Sequence, residues 1–194
     1  TSKMTNLPKS FRSWLSSNYS FDLPRLCALK HSKDGTKKWS VGLENGNYVE
    51  MVLIPERDRN TLCVSSQVGC ALKCDFCSTG KQGFKANLNT AEIVGQLILA
   101  NRHLSSEGKR VSNIVFMGMG EPLLNFEAVS SAINLFQDDC AFGLSKRKVT
   151  LSTAGLVPGI MRMKETLDCS LAISLHAPTD AVRNVLVPIN RKYP

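Results

Sequence analysis

No apolar run in the chain approaches the roughly 20 consecutive residues that a membrane-spanning helix needs. No signal-peptide pattern precedes the first charged residues either. A soluble, cytoplasmic protein with no membrane partner is therefore expected. An initiating Met is also lacking: the chain opens at Thr1 and stops at Asn190-Arg191-Lys192-Tyr193-Pro194, directly after a helix-like segment, and reads as a fragment of a longer protein. A disulfide framework is not indicated, because three of the seven cysteines sit in one ligand-like motif and the set suits a reducing compartment. Histidine is scarce, with three in the whole chain.

That scarcity bears on the most informative segment present, Cys70-Ala71-Leu72-Lys73-Cys74-Asp75-Phe76-Cys77. Three thiols spaced this way form an iron–sulfur ligand set lacking its fourth member. A cluster of four irons is usually held by four thiolates, so a triad leaves one iron free to bind a substrate or cosubstrate. Zinc is the main rival, but it would need a fourth ligand nearby, and the next histidine is His103. Three buried structural thiols are the plain alternative, although free cysteine is usually placed singly, as a small hydrophobe.

Residues 39–54 alternate apolar and polar around Asn45-Gly46 and read as a β-hairpin. From residue 62 strands alternate with helices. Strand-like runs at 62–66, 113–117, 148–153 and 170–175 are separated by helical periods: Ile93, Val94, Leu97 and Ile98 after a cap at Thr90, Val129, Ala132, Ile133 and Phe136 after a cap at Asn125, then Ile160, Met163 and Leu167. A further helix is expected after Thr179. This order implies an α/β fold with a parallel sheet, in which sites form at the C-terminal strand ends. The cysteine loop, Gly118 to Glu121, Ser152 and Ser174 to His176 each follow a strand and would meet at one mouth. Gly118-Met119-Gly120-Glu121 would let backbone approach a ligand and offer a carboxylate to a protonated amine, or would simply be a glycine-rich turn. Lysine and arginine outnumber aspartate and glutamate 24 to 16, a formal charge of +8. The basic residues cluster at 30–38, 81–85 and 146–148, which suits a polyanion such as RNA or simply a solvated face.

The cysteine spacing with Phe76 before the last cysteine resembles the radical S-adenosylmethionine superfamily. The flanking text is narrower. Cys63-Val64-Ser65-Ser66-Gln67-Val68-Gly69-Cys70, Phe76-Cys77-Ser78-Thr79-Gly80, Met117-Gly118-Met119-Gly120-Glu121-Pro122-Leu123-Leu124-Asn125 and Ser174-Leu175-His176-Ala177-Pro178 together resemble the RlmN family of RNA adenine C2 methyltransferases, from about residue 50 to the last.

The resemblance implies a partial TIM-like barrel of the radical SAM type, with about four of its six βα units in this chain. Residues 1–24 would be the tail of a helical accessory domain, 25–60 a β-hairpin extension, and 61–194 the core, truncated at its C-terminus. It implies a 4Fe-4S cluster on Cys70, Cys74 and Cys77. S-adenosyl-L-methionine (SAM) would be bound by Gly120, Glu121, Ser152, Ser174, Leu175 and His176. In the family one SAM methylates a cysteine, here beyond residue 194, and cleavage of another yields a 5′-deoxyadenosyl radical that activates that methyl group for addition to adenine. Cys63 matches the cysteine that resolves the protein–RNA adduct, and Glu50 matches the proton acceptor. From the residues alone, Cys63 is equally an inert strand thiol and Glu50 a solvent-facing strand residue. Implied partners are 23S rRNA at the peptidyl transferase centre, tRNA beside the anticodon, and an electron donor such as flavodoxin or ferredoxin, with the enzyme a monomer. The alternatives are a Cfr-type adenine C8 methyltransferase and a non-catalytic metal-binding RNA module.

Overall fold

The computed structural model describes residues 3–20 and 22–194. Thr1, Ser2 and Phe21, within the segment read as a helical tail, lie outside the described residues. Helix α1 (Lys9–Asn18) buries no residue, and its Phe11 stacks on Trp14 with ring centroids 5.7 Å apart.

Strand β1 (Arg25–His31) is exposed along its whole length, so no alternation marks it in the sequence. Backbone pairing with β2 (Lys37–Gly42) makes it a strand. The expected hairpin is formed by β2 and β3 (Tyr48–Pro55), with Gly46 at φ 78° in the connecting turn, a conformation that glycine adopts without strain. The structure extends this hairpin on both sides. β3 also pairs antiparallel with β4 (Asn60–Cys63), so the meander and the parallel strands form one continuous sheet.

After β4 come the short pair β5 (Gln67–Val68) and β6 (Ala86–Asn87), with α2 (Ser78–Lys81) between them. The remaining elements are α3 (Thr90–Ser105), β7 (Asn113–Phe116), α4 (Phe126–Gln137), β8 (Val149–Thr153), α5 (Val157–Thr166), β9 (Ser170–Ile173) and α6 (Asp180–Leu186). The seven-stranded sheet has the order β1-β2-β3-β4-β7-β8-β9, and β4, β7, β8 and β9 are parallel. The fold is thus α/β, with the alternating βα units of a partial barrel.

Strand alternation sorts the two faces. Val49, Met51, Leu53, Leu62, Ile114, Phe116, Val149 and Leu151 are fully buried in one core with Ile93, Leu97 and Ala100 of α3 and Val129, Ile133 and Phe136 of α4. The opposite face is only half-buried at Val52, Cys63, Val115, Thr150 and Ala172. Among the described residues no helix is long and apolar enough to cross a membrane.

Two caps differ from expectation. Helix α3 starts one residue earlier, in a capping box: Glu92 N donates to Asn89 Oδ1 and Asn89 N to Glu92 Oε2, both at 2.8 Å. Asn125 precedes α4 but makes no side-chain cap; its amide instead donates to Ser66 O at 2.8 Å and Leu88 O at 2.7 Å. Those buried carbonyls leave the Asn125 amide a stronger demand than the helix end does.

Gln96, fully buried on the apolar side of α3, does for Ser65 what a neighbouring strand would: Ser65 N donates to its Oε1 and its Nε2 donates to Ser65 O, each at 2.9 Å. Gln96→Leu would strand both groups of Ser65 and is expected to cost about 2 kcal/mol or more. Urea unfolding checks this as a lowered midpoint with an unchanged slope.

Candidate active site

The strand register gathers several of the residues singled out from the sequence onto the half-buried face. Val52 pairs with Cys63, and Cys63 with Val115. Glu50 lies two residues from Val52 and therefore shares its face. Ser152 pairs with Ala172, and its Oγ lies 3.4 Å from Ser174 Oγ. Glu50 is exposed and ion-paired, with Lys38 Nζ 2.8 Å from its Oε1. Its backbone oxygen accepts from Ser65 Oγ at 2.5 Å. Burial pushes the Cys63 thiol up to about 11, partly offset by a hydrogen bond from the Met117 backbone.

The cysteine loop follows β5. Its entry, Gly69, has φ 73°, and a Cβ there would fall 1.7 Å from Gly83 O, so only glycine permits this crossing of loop backbones. Cys70 is buried and Cys74 and Cys77 half-buried. Cys77 Sγ accepts from Gly80 N at 3.4 Å and caps α2. Burial raises Cys70, and raises Cys74 to about 11; neighbouring thiolates and Glu121 add to both shifts, so these groups share one electrostatic neighbourhood. Phe76 packs its ring against His176, centroids 4.3 Å apart.

Gly118 and Gly120 admit protein rather than open space. A Cβ on Gly118 would lie 2.7 Å from Ser65 Oγ and Val64 O, and one on Gly120 2.5 Å from Gln67 Cβ. Glu121 is 3% exposed, and its carboxylate accepts from Leu123 N at 3.1 Å and Ala154 N at 2.9 Å. Burial nonetheless raises its pKa, because those bonds offset desolvation only in part. Each oxygen keeps a further acceptor position. Leu175 and His176 are exposed, and His176 has φ 59°, a left-handed backbone.

A model of the radical SAM superfamily matches residues 64–194. The chain belongs to the radical SAM superfamily. It is 57% identical over 98% of its length to the dual-specificity RNA methyltransferase RlmN of Vesicomyosocius okutanii, covering 54% of that protein. It is 55% identical over 99% of its length to the protein of the same name from Alkalilimnicola ehrlichii, covering 53%. A crystal structure of a radical SAM methyltransferase from Sphaerobacter thermophilus superposes with a TM-score of 0.91 at 40% identity, covering all of this chain and 57% of that one. The chain thus spans about half the length of the curated relatives it matches.

The donor set fits the radical SAM cluster in kind: three thiols on one loop, electrostatically coupled, one of them already accepting a backbone N–H. They are not closed on a common centre, for among the described residues no group of three or more His, Cys, Asp or Glu side chains is arranged to hold a metal ion. Without a metal, burial first and then the neighbouring thiols favour the neutral forms of Cys70 and Cys74. Some residues that brace these loops carried no clear sequence signal. Gln96 was legible only as a polar residue on an apolar helical stripe, and Gln67, whose Oε1 accepts from Glu121 N at 2.8 Å, not at all.

The thiols should differ in reactivity. Cys63, Cys74 and Cys169 all stand at about 11, whereas Cys27 and Cys140 are exposed. At pH 8 a thiol of that kind is about one part in a thousand thiolate. Iodoacetamide on the cluster-free polypeptide is expected to label Cys27 and Cys140 first. The half-buried Cys63, Cys74 and Cys169 should lag by about tenfold or more and accelerate as pH rises towards 11, read by peptide mass spectrometry. Equal rates at Cys63 and Cys27 would contradict the burial described above.

Proposed function

We propose that the chain is part of an RlmN-type methyltransferase that methylates C2 of adenosine in 23S rRNA and tRNA. The observation that carries this reading is the shared sheet face of Glu50, Cys63, Ser152 and Ser174, with the cysteine loop beyond the same strand ends. In this reading Cys70, Cys74 and Cys77 hold a 4Fe-4S cluster, and Gly120, Glu121, Ser152, Ser174, Leu175 and His176 hold SAM. When bound, these groups supply the one-electron chemistry that an electron-poor aromatic carbon requires and no side chain provides.

The chain's own residues then do three things. Glu121, braced by two backbone N–H groups, presents a fixed acceptor to the ammonium of SAM. Glu50, ion-paired with Lys38, takes the C2 proton. Cys63 is a diagonal neighbour of Glu50 across β3 and β4, and such positions lie roughly 7–8 Å apart. Its burial keeps the thiol protonated, and so unreactive towards stray oxidants, until the adduct that it resolves is in place. A cytoplasmic, monomeric enzyme reduced by flavodoxin or ferredoxin completes the proposal.

The test is anaerobic. The full-length polypeptide, reconstituted with iron and sulfide, reduced, and given SAM and an rRNA fragment, should yield 5′-deoxyadenosine and 2-methyladenosine by mass spectrometry. Cys74→Ala is expected to abolish both. Cys63→Ala should still cleave SAM but accumulate a covalent protein–RNA species on a denaturing gel. Absence of 5′-deoxyadenosine from cluster-loaded wild type would defeat the reading.

A further inference from the structure

Arg183 on α6 is 7% exposed, and among the described residues no carboxylate lies within ion-pair distance of it. A buried guanidinium without an acid is a poor device for stability, since its desolvation is repaid only through dipoles. Its partners indicate another use. Nε donates to Leu175 O at 3.0 Å, Nη2 to Ala154 O at 2.8 Å and Ser174 O at 3.2 Å, and Nη1 to Asn190 Oδ1. One planar fork thus ties the ends of β8 and β9 together.

Each of the carbonyl ties leads to a group assigned above to SAM. Ala154, held through its carbonyl, donates its N–H to Glu121 Oε2. Leu175 O also accepts from Ala177 N at 2.8 Å, which closes the tight turn that leaves His176 at φ 59° between them. A left-handed backbone at a non-glycine residue persists only where its surroundings over-determine it, and Arg183 supplies that constraint. The same short helix ends on the cysteine loop, where Leu186 O accepts from Asp75 N at 3.0 Å, and the adjacent Phe76 packs on His176.

We infer that Arg183 is a positioning residue: it sets Glu121 and the Ser174-Leu175-His176 segment in register with the cysteine loop, so that SAM affinity depends on it while cluster loading does not. This rests on the reading of those residues as the SAM site. The Cβ of a residue replacing Gly155 would lie 3.4 Å from the guanidinium, in van der Waals contact with the fork.

The experiment uses full-length, cluster-loaded, unreduced protein. The Kd for SAM is measured by equilibrium dialysis, and iron and sulfide content by chemical assay, for wild type, Arg183→Lys and Ser174→Ala. Lysine keeps the charge, but its compact ammonium cannot span acceptors that the planar fork reaches from three separate nitrogens, so Arg183→Lys is expected to weaken SAM binding on the order of tenfold with iron content unchanged. Wild-type affinity in Arg183→Lys, with Ser174→Ala weakened, would overturn the inference and leave the site assignment standing. Wild-type affinity in both variants would sink the site assignment, and the inference with it. Iron lost in proportion to affinity would also overturn it, by making Arg183 a support of the cluster loop. Should Arg183→Lys not fold, Asn190→Ser loosens the same fork from outside; a folded variant with roughly threefold weaker binding supports the inference, and one with wild-type affinity overturns it.

Discussion

The arrangement depends on how the backbone between β4 and the cysteine loop satisfies its hydrogen bonds once it leaves the sheet. Residues 64–70 are buried, and only β5 is paired with a strand there. Side chains and the backbone of neighbouring loops do the rest. Gln96 takes both groups of Ser65, Asn125 takes Ser66 O, and Met119 O receives the N–H of Ser66 and of Gln67. Gln67 then reaches the backbone N–H of Glu121. A buried network of this kind stabilises only when it is complete, since each stranded group costs about 1–3 kcal/mol. The cysteine loop and the glycine loop are consequently one unit.

The glycines follow from that unit. Gly118 and Gly120 are often read as room for a ligand, but here the space beside them is filled by Val64, Ser65 and Gln67. Their contribution to a site is indirect: the loops pack closely enough that Glu121 enters the interior with its carboxylate held by Leu123 and Ala154. Glu121 is therefore fixed by the fold itself, so the SAM contact proposed for it would carry a low ordering cost.

Much of this was legible in the sequence, for identifiable reasons. β3, β7 and β8 bury one face and leave the other half open, so their period-two pattern is strong. The cysteine spacing is read directly from the chain. β1 was missed because its exposed residues carry no period. The cap of α3 is Asn89 rather than Thr90 because the reciprocal bond with Glu92 decides between two adjacent candidates, and only three-dimensional geometry reveals it. Arg183 was illegible for a different reason. Its role lies in which carbonyls surround it, and nothing in the composition of α6 distinguishes it from the exposed Arg191 that follows.

The meander has a consequence for how such a protein tolerates change. Glu50 does not come from a βα unit; it reaches the half-buried face because β3 is zipped to β4 in one register, Val52 opposite Cys63. A single inserted or deleted residue in the 56–59 connection that slipped this pairing by one step would exchange Glu50 for Met51, turning a carboxylate into the core and a thioether out of it. The length of an exposed surface loop is thereby under as strict a constraint as the identity of the residues at the mouth.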